Sequence, residues 1–269
     1  MTELISPCPA EALAGLLGVP LPDLDAGDPL PLCWHWVYLL DRPATEDLGA
    51  DGHPVRGVVP EPPGPGRRRM WAGGRVEQHG GLVTGHEATR RSEVTAVHEK
   101  EGSSGHLTFV EVTHTIEQRG RPVVVERQDI VYRAKAPATE SPAPAAADVV
   151  PMPSPEGGWT LGIGPALLFR FSALTYNAHR IHYDRDYATG VEGYPGLVTH
   201  GPLQALAMAE AARRRGVTGD LIYEYRLVAP LFDFQGMSVL AEPSGEGDAT
   251  EVSVCDLSGR VTARGRLTR

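Results

Sequence analysis

At 269 residues the chain is long enough for one large unit or two moderate ones, each with a substantial core. With 41% hydrophobic and 22% charged residues it has the composition of a soluble globular protein, and its formal net charge of −9 argues against a nucleic-acid partner, which needs a basic surface. Cys8, Cys33 and Cys255 are scattered without metal-ligand spacing, so neither a metal site nor a disulfide framework is expected.

The first residues, MTELISPCPAEALAGLLG, carry acids and no basic run, which does not read as a signal peptide. No apolar run approaches the roughly 18 residues of a membrane-spanning helix, so a cytoplasmic protein is expected. Residues 9–17 suit a short helix ending at Gly18, followed by a proline-rich run and the aromatic segment around Trp34, Trp36 and Tyr38. Glycine and proline are so dense over 49–66 that an irregular loop is expected there. Residues 75–79, 86–99, 106–118 and 122–133 carry β-branched residues in rough alternation, separated by GG, EGSSG and QRGRP, which predicts a meander of antiparallel strands.

The run AKAPATESPAPAAAD has little to bury and reads as a surface linker, placed at 135–150 between units at 1–134 and 151–269. Beyond it the cycle repeats, with a helix at about 201–215 and strands near 220–228, 236–243, 249–256 and 260–267. Two units of similar size, each with about four strands, make a duplicated helix-on-sheet arrangement of the α+β class the economical reading.

The chemistry concentrates in 171–203, which packs His179, His182 and His200 with Asn177 ahead of a Gly201-Pro202 pair and an alanine- and leucine-rich run. Proline suits the first turn of a helix, where its missing N–H has no partner to lose. A helix starting there aims free backbone N–H groups, and the positive end of its dipole, at whatever lies in front. His182 can exchange a proton near neutral pH, Asn177 can hold a water in one orientation, and the Gly201 N–H can polarise a thioester carbonyl. Together these parts would add water to, or remove it from, a carbon β to an activated carbonyl. Each also has a plainer use: a lone histidine is more often structural, asparagine more often caps a turn, and Gly-Pro opens many ordinary helices.

The segment NAHRIH, followed by Asp184 and Tyr187-Ala188 and later by VTHGPL, resembles the signature of the MaoC-like hydratases and dehydratases. More closely, FSALTYNAHRIHYDRDYATGVEGYPGLVTHGPLQ is similar to the two-domain branch containing mesaconyl-C4-CoA (3-methylfumaryl-CoA) hydratase and type 2 hydroxyacyl-thioester dehydratases, with LCWHWVYLLD, RRRMWAGGR and ERQDIVYR in support. The resemblance implies a double hot-dog fold, two antiparallel sheets each wrapped around a central helix. It implies Asn177, His182 and Gly201 as catalytic residues, Asn177 standing where the broader family has aspartate. Tyr176, His179, Thr199 and His200 are the accompanying substrate-binding expectations. The implied substrate is an acyl-CoA or acyl-carrier-protein thioester, a short branched dicarboxylic acyl-CoA first, with no cofactor beyond the substrate's own coenzyme A and no metal, nucleic-acid or membrane partner.

The N-terminal unit has no such Asn/His pair, so it is expected to shape the acyl pocket, with Trp34, Trp36 and Trp71 as wall candidates. Hot-dog units often pair along sheet edges, which makes a homodimer a further expectation. Two readings compete: thioester hydrolysis by a carboxylate on the helix, for which Glu210 is the candidate, and a non-catalytic acyl-binding subunit. Arg67, Arg68, Arg69 and Arg213, Arg214, Arg215 could meet coenzyme A phosphates, although charge runs are more often solvated.

Overall fold

The computed structural model describes residues 1–63, 67–102, 105–134, 158–245 and 247–269. Ten strands form one sheet in the order β1-β3-β4-β5-β2-β7-β10-β9-β8-β6. The first five are β1 (Thr2–Leu4), β2 (Arg67–Gln78), β3 (Glu87–Gly102), β4 (Gly105–Gln118) and β5 (Arg121–Ala134). The second five are β6 (Trp159–Leu161), β7 (Leu221–Leu227), β8 (Met237–Pro243), β9 (Thr250–Cys255) and β10 (Val261–Thr268). All pairings are antiparallel, and the two expected sheets are joined edge to edge where β2 meets β7. The expected linker at 135–150 lies outside the described residues.

The strands expected from alternation are present, but β2 begins at Arg67 rather than Arg75. The pair Gly73-Gly74 reads as a strand breaker, yet here it lets β7 approach: a Cβ on Gly73 would collide with the Tyr225 carbonyl, and one on Gly74 would lie 2.5 Å from the Arg127 carbonyl oxygen. A bulge between Trp71 and Gly73 absorbs the extra residue.

Helix α1 (Pro7–Leu17) buries Ala10, Leu13, Ala14, Leu16 and Leu17 at helical spacing, and Gly18 closes it in the left-handed region with φ 65°. Helix α2 (Pro165–Leu174) and the short α3 (Arg185–Gly190) were not expected from the sequence. Helix α4 (Gly201–Arg214) is buried at every position from Leu203 to Ala212. Its alanines let strands β7 to β10 wrap closely around it, as a helix surrounded on all sides requires. Its polar groups are satisfied inside: Tyr223 Oη donates to the Ala205 carbonyl at 2.9 Å and Thr262 Oγ1 to Gln204 Oε1 at 2.7 Å.

Glu210 is fully buried on α4. It accepts from Trp34 Nε1 at 2.7 Å and pairs with Arg213 at 2.8 Å, tying α4 to the N-terminal aromatic segment. Both carboxylate oxygens are therefore committed to the fold. Glu210→Gln should cost about 2 kcal/mol of stability, the worth of a charge-assisted hydrogen bond. A urea-unfolding midpoint equal to that of the unaltered chain would contradict this bracing role.

Candidate active site

The turn that carries the candidate residues is built by its own hydrogen bonds. Thr175 and Tyr176 end α2, Tyr176 in the left-handed region with φ 52°. The Asn177 N–H donates to the Ser172 carbonyl at 2.8 Å, while Asn177 Oδ1 accepts from the His179 N–H at 3.0 Å. This Asx turn uses the side-chain oxygen, leaving the Asn177 amide nitrogen as its group for a ligand. Asp184 caps α3 by accepting from the Tyr187 N–H at 3.0 Å and holds Arg180 at 2.7 Å, with the guanidinium 4.0 Å above the Tyr187 ring. The residues from Asn177 to Tyr187 thus form one braced unit.

His182 is 7% exposed and donates from Nδ1 to the Val198 carbonyl at 2.7 Å. That bond sets the tautomer and leaves Nε2 with its lone pair, the form a general base needs. Its ring stacks on His200 with centroids 3.7 Å apart, and His200 is the N-cap of α4. His182 therefore lies beside the start of the helix, where the Gly201 N–H has no intrahelical partner. A Cβ at Gly201 would meet Leu227 Cδ1, so any larger residue there would need the Leu227 side chain to move. Ser172 Oγ lies 2.9 Å from His200 Nε2, while His200 Nδ1 and the buried Thr199 Oγ1 have no hydrogen-bond partner among the described residues.

The sequence does not reveal that the imidazoles continue into the N-terminal half. His179 stands edge-on to His182 at 5.3 Å, and His53 stacks on His179 at 4.1 Å. His53 comes from the glycine- and proline-rich stretch expected to be irregular. That stretch docks on the turn at 177–182: the Asp51 carbonyl accepts from the Arg180 N–H at 2.8 Å, and the Ala50 carbonyl from Arg180 Nη1 at 3.1 Å. Gly52, at φ 85°, faces the Ala178 carbonyl so closely that any Cβ would collide with it. No local pattern in 49–53 could have shown this, because the partner lies more than a hundred residues away.

Burial lowers the pKa of all four rings. His182 falls to about 4, with the Val198 bond partly opposing burial. His53 falls to about 3 through burial and the charges of Arg69 and His182. His179 and His200 are pushed down by burial first and by their imidazole neighbours next. The column is neutral at physiological pH.

A cavity of about 960 Å³ opens beside it, lined by Tyr176, Asn177, His53, Trp36, Trp71 and Pro202 among others. His179, His182, Thr199, His200 and Gly201 are not among the lining residues, although their chain or ring neighbours Asn177, His53 and Pro202 are. Of the expected tryptophans, Trp36 and Trp71 line the cavity, whereas Trp34 is buried against Glu210. Arg67, Arg68 and Arg69 line it too, whereas Arg213 is occupied by Glu210 and Arg214 lies over Trp159.

The far wall holds a second polar group missed in the sequence. Glu126, 2% exposed, accepts from Trp36 Nε1 and Gln128 Nε2 at 2.9 Å, and its Oε2 lies 3.0 Å from His35 Nε2. Burial pushes its carboxyl up, but the hydrogen bond and charge of His35 prevail and hold it down to about 2. A signal existed: Glu126 occupies an inward position of β5 between Val124 and Ile130, both 1% exposed, where alternation calls for an apolar residue. Among the described residues no group of three or more His, Cys, Asp or Glu side chains is placed to hold a metal ion. No helix among them is long and apolar enough to cross a membrane.

A double hot-dog whose second long helix starts beside a tautomer-fixed histidine and an Asx turn defines a MaoC-like hydratase/dehydratase. Solved structures agree on the fold: a MaoC-like dehydratase (TM-score 0.70, 18% identity, covering 100% of this chain and 95% of that one) and a Mycobacterium tuberculosis protein described as having a double hot-dog fold (TM-score 0.56, 18% identity, 99% and 92%). In sequence, residues 33–233 match hydroxyacyl-thioester dehydratase type 2, and the chain belongs to that family. A relative, the mesaconyl-C4-CoA hydratase of Chloroflexus aurantiacus, is 44% identical over 241 residues, 89% of this chain and 85% of its own. The protein is accordingly a hydro-lyase that hydrates or dehydrates acyl thioesters.

Proposed function

We propose that the substrate is the coenzyme A thioester of a short branched dicarboxylic acid, of the mesaconyl-C4-CoA type, hydrated reversibly across its double bond. The observation that carries this reading is the 44% identity to the Chloroflexus aurantiacus enzyme over 89% of the chain. In the mechanism, His182 Nε2 takes a proton from water as the water oxygen bonds to the β-carbon. The electron pair of the double bond moves toward the thioester carbonyl, where the Gly201 N–H and the α4 dipole receive the developing negative charge. The imidazolium then returns its proton to the α-carbon, so water has added and the thioester bond is intact. The Asn177 amide orients the water and Tyr176, on the cavity wall, meets the acyl group; His179 and His200 bear on the acyl site through the His182 ring they pack against, and Thr199 through its place beside His200.

In this reading residues 151–269 form the catalytic unit, residues 1–134 a non-catalytic unit that encloses the acyl chain, and 135–150 the connection between them. The enzyme works in the cytoplasm on a coenzyme A ester, with no other cofactor invoked. A homodimer would use β3, which beyond Arg90 has no outer partner strand among the described residues. Commitment of both Glu210 oxygens to Trp34 and Arg213 weighs against thioester hydrolysis at that residue.

The test follows absorbance of the enoyl-thioester band together with free thiol, offering mesaconyl-C4-CoA and crotonyl-CoA separately. The expected result is loss of the band without thiol release, faster with mesaconyl-C4-CoA. Thiol release would establish a thioesterase, and ligand binding with no loss of the band a non-catalytic acyl carrier.

A further inference from the structure

The cavity wall carries four carboxylates and four arginines, and the way they pair is uneven. Glu126 is held by His35, Trp36 and Gln128, and Asp51 Oδ1 accepts from the His53 N–H at 3.0 Å. Asp41 pairs with Arg90, and Glu192 with Arg68 at 2.7 Å. Every wall carboxylate is thus engaged. Of the two remaining guanidiniums, Arg67 donates to Thr108 Oγ1 at 3.0 Å, while Arg69 has no carboxylate partner among the described residues.

Arg69 is nevertheless held in place. It pairs in register with Tyr132 across the β2–β5 ladder, so both side chains leave the same face of the sheet, and both line the cavity. Its guanidinium lies 5.9 Å from the centroid of the Trp71 ring. An indole face steadies a guanidinium without neutralising it. Its charge also reaches the imidazole column, helping to lower the pKa of both His53 and His179. A guanidinium with no carboxylate partner among the described residues, on the wall of the cavity that Asn177 and His53 also line, is poised for an anion brought by the substrate.

We propose that Arg69 is the specificity-determining residue of this cavity and receives the second carboxylate of a dicarboxylic acyl thioester. The inference rests on the hydratase reading above and deepens it. In an enoyl thioester of the mesaconyl-C4 type the free carboxylate is bonded directly to the carbon that takes the water, so its partner must stand beside the imidazole column. Arg69 lines the same cavity as His53 and Asn177, and a planar two-donor fork matches a carboxylate. A monocarboxylic chain would leave the guanidinium buried against substrate with nothing to pair, which disfavours it.

The experiment compares Arg69→Gln and Arg69→Lys with the unaltered full chain on mesaconyl-C4-CoA, crotonyl-CoA and crotonyl-pantetheine. Arg69→Gln should lower kcat/KM for mesaconyl-C4-CoA roughly 30- to 1000-fold, the loss seen when one partner of a buried charge pair is removed. Activity on the two crotonyl thioesters should be retained, which also certifies the fold, and Arg69→Lys should recover part of the loss. An equal loss on both coenzyme A esters that is absent with crotonyl-pantetheine would assign Arg69 to the coenzyme A phosphates and overturn the proposal. An equal loss on all three would make it a support of the wall, which overturns it too. Unaltered chain that hydrates crotonyl-CoA but not mesaconyl-C4-CoA would overturn both the dicarboxylic substrate and the Arg69 assignment while leaving a hydratase. Chain that hydrates neither would bring down the hydratase reading as well, whereas the equal losses above refute Arg69 alone.

Discussion

His182→Ala is expected to lower turnover by about 10²–10⁴-fold, the usual contribution of a positioned general acid/base. The expectation rests on geometry more than on residue type. The Nδ1 bond to the Val198 carbonyl fixes the tautomer, and stacking on His200 fixes the ring plane, so the lone pair at Nε2 is held in one orientation. No other imidazole in the column has the same arrangement: His200 Nε2 is occupied by Ser172 Oγ, and His179 contributes through its ring edge. Because burial lowers the His182 pKa to about 4, the imidazole is unprotonated across the neutral range, as the proposed base must be. For the unaltered chain kcat/KM should therefore stay level from pH 8 down to about 6 and decline only as pH approaches 4. Progress curves at the enoyl-thioester band would check both points. A variant with near-normal turnover and an unchanged circular-dichroism spectrum would remove His182 from the mechanism.

The second large effect concerns stability in acid. His53, His179, His182 and His200 all have folded-state pKa values below the ordinary imidazole value near 6.5. Below that value the unfolded chain takes up protons that the folded column refuses, so stability falls as pH falls from about 6.5 toward 4 and below. Each ring contributes up to about 1.4 kcal/mol per pH unit over its own window. His182 and His200, 7% and 1% exposed, carry the larger share, because His53 and His179 keep part of their surface in solvent. Glu126 adds to the loss at still lower pH, since its carboxyl is held down to about 2 and its stabilisation disappears as it protonates. Urea-unfolding midpoints at pH 7, 6 and 5 should drop progressively, and His179→Phe, which keeps an aromatic ring in the stack, should flatten the dependence. A midpoint unchanged between pH 7 and 5 would show that the column is not neutral and buried in solution.

Much of this protein was decided locally. Alternation over 106–118 and 122–133 produced strands with inward positions buried, while 86–99 became a strand through its ladder to β4 with most of its side chains exposed. Gly201-Pro202 ahead of an alanine-rich run produced α4, since proline and the orphan N–H positions of a first turn are compatible. The spacing from Asn177 to His182 and on to Asp184 contained the Asx turn and the α3 cap, both built from bonds spanning five residues or fewer. Those features need only neighbours in the chain.

What the tertiary structure decided was long-range. The length of β2 depended on β7 approaching Gly73 and Gly74, so a glycine pair that locally signals a break instead marks a sheet junction. Helix α2 went unread because its apolar positions pack on α1 and the 180–182 turn, contacts that no period within it announces. His53 joined the imidazole column only because Gly52 admits the Ala178 carbonyl, and Arg69 acquired its meaning only when every carboxylate around it had found another partner. The physical reason is common to these cases. Hydrogen bonds along a turn or ladder are dictated by local geometry, whereas the environment of a buried charge or ring depends on which distant surfaces meet around it.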